Sequence, residues 1–70
     1  MDYQEIKAVV DRYEAIGISM PVAVTNEVGE WGILGWGSNG SIRLEVAQDN
    51  DWIRVHEYYP DGTVTETYEK

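Results

Sequence analysis

Residues 31–47 read Trp31-Gly32-Ile33-Leu34-Gly35-Trp36-Gly37-Ser38-Asn39-Gly40-Ser41-Ile42-Arg43-Leu44-Glu45-Val46-Ala47. Asn39-Gly40 is the strongest hairpin signal in the chain, because both residues tolerate the positive φ that a type I′ turn demands. Strand-forming runs flank it, Trp31 to Trp36 and Ile42 to Ala47. A two-residue turn sets Trp36 opposite Arg43, Leu34 opposite Glu45 and Ile33 opposite Val46.

Outward from this hairpin the period stays at two. Val22 to Thr25, Trp52 to Tyr59 and Thr63 to Tyr68 are further strands, separated by linkers rich in Gly, Asn, Asp and Pro. Pro60-Asp61-Gly62 suits a type I turn followed by a glycine bulge, which pairs Tyr59 with Thr63 and His56 with Glu66. A loop from Gln48 to Asp51 sets Val46 opposite Ile53 and Leu44 opposite Val55. Before Pro21 the period is that of a helix. Tyr3, Ile6, Val9, Val10, Tyr13 and Ile16 form one apolar stripe. Asp2 and Glu5 are placed for a capping box, and Gly17 ends the helix.

The expected fold is α+β, a single domain over residues 1–70 with an N-terminal helix on a five-stranded antiparallel meander. An SH3-like partial barrel is the alternative, since apolar residues occupy both sheet faces. The register assigns Trp31, Ile33, Ile42, Leu44, Val46, Ile53, Val55 and Tyr59 to the core face. The opposite face then carries the aromatic binding surface: Leu34, Trp36, Arg43, Trp52, Arg54, His56, Tyr58 and Tyr68. On that face Arg43 would stack on Trp36.

The chain has 70 residues and no Cys, which excludes disulfides and thiolate zinc sites and fits a reducing, cytoplasmic setting. Thirteen acidic side chains against five basic ones give a net charge of -8, which argues against direct nucleic-acid binding and for a basic protein partner. No run approaches the roughly 18 apolar residues of a membrane span, and the acidic start, Met1-Asp2-Tyr3-Gln4-Glu5, lacks the features of a secretory signal. The meander gathers Asp2, Glu5, Glu27, Glu30, Asp49, Asp51 and Glu69 at one end.

Residues 35–40 match G-x-G-x-x-G, but a strand follows where a phosphate-binding loop needs a helix. Asp49-Asn50-Asp51 opens like a calcium loop, yet Arg54 stands where the sixth position requires Gly. His56, the one histidine, has Glu57 and Glu66 for neighbours but no hydroxyl nucleophile beside it. No catalytic residue, metal ligand or cofactor is therefore assigned. In size, acidity and lack of catalytic apparatus the chain resembles small acidic accessory proteins of phages and mobile elements. Some of these inhibit nucleic-acid-binding proteins by imitating phosphate charge. The leading expectation is a non-enzymatic binding or regulatory module that docks a protein, or a second copy of itself, on the aromatic face. The alternative is an acidic inhibitor acting through the charged end.

Overall fold

The computed structural model describes all of residues 1–70 and shows the α+β architecture. Helix α1 spans Tyr3–Ala15, and strands β1 to β5 span Val22–Thr25, Trp31–Trp36, Ile42–Ala47, Ile53–Tyr58 and Val64–Glu69. The strands form one antiparallel sheet in sequence order, open rather than closed into a barrel. No helix is long and apolar enough to cross a membrane.

The helix starts where its cap dictates. Asp2 Oδ1 accepts the Glu5 amide at 2.9 Å, and Glu5 Oε1 accepts the Asp2 amide at 3.3 Å. Gly17, at φ 84, releases the chain past the Ile16 cap. Ile6 and Val10 are fully buried on the sheet, while Ile16 stands 72 % exposed and drops out of the expected stripe.

Strand positions were legible, but two registers are corrected. The Asn39-Gly40 turn is left-handed at both residues, as type I′ requires (φ 54 and 75), and Ser41 N donates to Ser38 O at 3.0 Å. The next bond, however, runs from Gly37 N to Ser41 O, at 2.8 Å. Gly37 and Ser38 thus share one partner, a bulge that adds a residue to the incoming strand. The pairing becomes Trp36 with Ile42, Leu34 with Leu44 and Ile33 with Glu45.

The second turn repeats the device. Asn50 and Asp51 have positive φ (62 and 65), Trp52 N donates to Asp49 O, and Gln48 N donates to Trp52 O at 2.7 Å. Val46 therefore pairs with Arg54 and Leu44 with His56. The Pro60-Asp61-Gly62 turn keeps the register read from its residues, with Tyr59 N donating to Thr63 O and His56 opposite Glu66.

Each slip of one residue exchanges a strand's faces. Strand β3 keeps its expected orientation, with Ile42, Leu44 and Val46 under the helix. Strands β2, β4 and β5 turn over. Leu34 and Tyr58, expected on the outer face, are core residues at 0 % and 6 % exposure, packed with Ile6, Val10, Val24 and the β3 residues. Trp31 and Ile33, expected in the core, stand exposed on the far face. Gly32 takes the inward position on β2, where a Cβ would lie 2.8 Å from Glu45 O, so no larger residue fits that close approach.

The far face is closed by polar side chains rather than by a helix. Arg43 Nη2 reaches Glu45 at 3.1 Å and Glu69 at 3.2 Å, bridging β3 to β5. Val55 sits on β4 between those strands, opposite Glu45 and Thr67. It is 1 % exposed although no helix covers it.

Candidate binding cleft

Helix α1 covers only part of its side of the sheet. Beyond it, β4 and β5 present Arg54, His56, Val64, Glu66 and Tyr68, and a cleft of about 390 Å³ opens there. Leu44, Tyr58 and Val64 give it an apolar floor, and Glu27, Val28 and Glu30 of the β1–β2 loop wall it. The volume exceeds the roughly 300 Å³ at which ligand sites begin.

The wall is built locally. Asn26 Oδ1 accepts the amides of Val28 and Glu30, at 3.1 and 2.9 Å, which folds residues 26–30 into a tight turn. Asn26 Nδ2 also donates to Glu30 Oε1 at 2.9 Å, and Arg54 Nη2 donates to the same oxygen at 2.6 Å. Asn26 first, and then Arg54, hold the Glu30 carboxyl below the usual carboxylate range. The Arg54 Nε is buried without a hydrogen-bond partner.

Across the floor, His56 Nε2 lies 2.8 Å from Glu66 Oε1. Burial, with the nearby Glu27 charge, pushes the Tyr58 hydroxyl up. The Met1 amine closes the rim through an ion pair with Glu27 at 2.7 Å. Each cation at the cleft thus already has a carboxylate, and no Ser, Thr or Cys lines it. No three His, Asp or Glu side chains come together as a metal-ligating group.

Of the eight residues assigned to the face away from the helix, Arg54, His56, Trp52 and Tyr68 are corrected to the helix side, where the structure gathers them on the β4–β5 half that α1 leaves uncovered. Arg54 pairs directly with Tyr68. Trp52 is 40 % exposed with the Lys70 ammonium 5.3 Å from its ring, and Tyr68 is 54 % exposed. Trp36 shares their side of the sheet but sits in the row of Ile42, Tyr58 and Val64, at the other end. Arg43 keeps its expected place on the far face; Trp36 is the one corrected, to the helix side in the row of Ile42, so the two cannot stack. Leu34 and Tyr58 belong to the core.

The β1–β2 loop and the β3–β4 loop lie at one end of the meander, and the Met1–Glu27 pair places the start of α1 there too. Most of the seven acids are engaged. Asp2 and Glu5 cap the helix, Glu27 holds Met1, Glu30 holds Arg54 and Glu69 holds Arg43. Asp49 and Asp51 are in no ion pair.

Sequence reasoning missed the Glu57 cluster on the far face. The Ser41 hydroxyl donates to Glu57 Oε2 at 2.5 Å, and Arg43 Nη1 lies 3.8 Å from Glu57 Oε1. The Ser41 bond holds the Glu57 carboxyl below the usual range against the opposing push of burial, and the Ser38 amide adds to it. Ser38 is the bulge residue. A two-residue turn would aim its N–H at Ser41 O; here Gly37 N donates to that oxygen instead. Only the pairing of β3 with β4 brings Glu57 to that place, so no local signal could have found it.

Compared with known proteins, the chain matches no family model, no curated protein and no solved structure.

Proposed function

We propose that the protein is a small, acidic, non-enzymatic binding module that docks a basic protein partner on the helix-free half of its sheet. The observation that carries this reading is the company kept by Trp52 and Tyr68. Both are half exposed on one side of β4–β5 next to Arg54, which lines a cleft with an apolar floor and acidic wall. Exposed aromatics around an apolar centre are the residues that dominate protein contacts, and a net charge of -8 favours a basic partner over an acidic one. The cysteine-free composition keeps a cytoplasmic setting as part of the reading. Imitation of nucleic-acid charge draws less support, because five of the seven acids at the charged end are committed to caps and ion pairs.

Titration of the chain with a Lys-rich peptide containing aromatic residues, followed by amide NMR shifts, tests the reading. Changes should centre on Trp52, Arg54, His56 and Tyr68. A Trp52→Ser, Tyr68→Ser double variant should keep its melting temperature and bind roughly tenfold more weakly. Binding indifferent to both substitutions, or no binding at low salt, would refute it.

A further inference from the structure

Strand β5 ends the sheet, and nothing in the fold covers its outer edge. It is six residues long and exposed along its whole length. The edge of a sheet is normally blunted by shortness, a bulge, proline or charged side chains, lysine above all. Strand β5, Val64-Thr65-Glu66-Thr67-Tyr68-Glu69, is long and holds neither Pro nor Lys, and its blunting charges are both acidic, which a basic segment would accept; β1 at the other edge has four residues and follows Pro21.

The direction of the free groups is fixed by the hairpin. Tyr59 N donates to Thr63 O, so the odd residues of β5 face β4 and the even ones face outward. Val64, Glu66 and Tyr68 therefore offer their N–H and C=O groups to another chain. Their side chains share the side of the sheet that carries the cleft and Trp52. The edge's own charges are Glu66 and Glu69, on opposite sides of the sheet, both half exposed and paired within the chain to His56 and Arg43, so an added basic residue would share each carboxylate with its present partner.

We infer that β5 accepts an added strand, an extended basic segment of a partner protein, in continuity with the binding surface proposed above; the inference rests on that reading. A second copy of this chain is the poorer occupant, since an antiparallel β5 pair brings acidic edges together between two chains of net charge -8. The register specifies the segment. In an antiparallel addition, the residues facing Glu69 and Glu66 are three apart, so Lys or Arg belongs at i and i+3. An aromatic or apolar residue at i+1 meets Tyr68, a β-branched residue at i+2 meets Thr67, and an apolar residue at i+5 meets Val64.

The probe is a capped peptide, Lys-Tyr-Thr-Lys-Val-Val, against a scrambled peptide of the same composition, both titrated into the full chain. Hydrogen exchange should slow at the Val64, Glu66 and Tyr68 amides on adding the probe, and the scrambled peptide should bind roughly tenfold more weakly. Val64→Pro removes an outward N–H without breaking the β4 ladder and should weaken the probe by a similar factor. Glu66→Lys should shift the preference to a peptide with Glu at i+3 while Lys at i, opposite the unchanged Glu69, is still favoured. If the probe binds with sensitivity to Trp52→Ser but leaves the three amides unprotected, strand addition is wrong and the surface reading survives. If neither peptide binds, both fail. Protection of the same amides on raising protein concentration alone would assign the edge to a second copy and overturn the basic-segment inference.

Discussion

Replacing Gly37 with Ala tests the device that sets the β2–β3 register. Gly37 has φ -104, which any residue adopts, so the substitution brings no backbone strain. Alone, it would stabilise the chain by about 0.4–1 kcal/mol through the unfolded state. The added Cβ, however, would fall inside contact distance of Ser41 Oγ, 2.6 Å from Glu57 Oε2 and 3.0 Å from Arg43 Cγ. Ser41 is fully buried, so it cannot swing aside without breaking its bond to Glu57. Losing a hydrogen bond to a charged group costs about 1.5–3 kcal/mol. The net expectation is about 1–2 kcal/mol of destabilisation, with the melting temperature falling by roughly 4–8 °C for each kcal/mol in a domain of this size. Urea denaturation followed by tryptophan fluorescence measures it, in a double-mutant cycle with Ser41→Ala. With the hydroxyl gone, the flexible Glu57 tip can move, and Gly37→Ala should then cost less than about 0.5 kcal/mol. Additive effects, or a Gly37→Ala variant as stable as its parent, would refute the account of the bulge.

The corrected faces make opposite demands on two large side chains. Leu34→Ala should cost about 2–5 kcal/mol as a core truncation, and Trp31→Ala less than about 1 kcal/mol because Trp31 is 69 % exposed; chemical denaturation of both variants showing the reverse order would restore the register read from the turns alone. The depressed Glu57 carboxyl gives stability that is present above the ordinary glutamate value, about 4.3, and lost as pH falls through the lower folded value. Ser41→Ala should therefore flatten the melting temperature between about pH 4.5 and pH 3, and an unchanged acid profile would show that Ser41 does not hold that carboxylate.

Part of the candidate site was legible because hairpin β4–β5 is closed by a turn whose chemistry is wholly local. Pro60 presets φ and Gly62, at φ 94, supplies the bulge position, so the pairing of His56 with Glu66 and of Arg54 with Tyr68 followed from the residues themselves. The cleft wall was not legible. Asn26 and Glu30 fold their own turn, but their use depends on Arg54 arriving from two strands away.

By itself the sequence determined the helix with its capping box, the five strands to within a residue, their antiparallel order and the left-handed conformation at Asn39-Gly40. Each of these rests on contacts between residues a few positions apart, which a linear pattern encodes. Tertiary structure alone decided which side of β2, β4 and β5 meets the helix. The same Asn-Gly turn closes a hairpin with or without a bulge, and the two differ by one residue of register. The choice falls to interactions across the sheet: Leu34 or Trp31 beneath the helix, and a Glu57 carboxylate that accepts the Ser41 hydroxyl. Because strand side chains alternate with a period of two, that one residue moved Tyr58 and Leu34 from the proposed surface into the core, and Trp31 and Ile33 out of it.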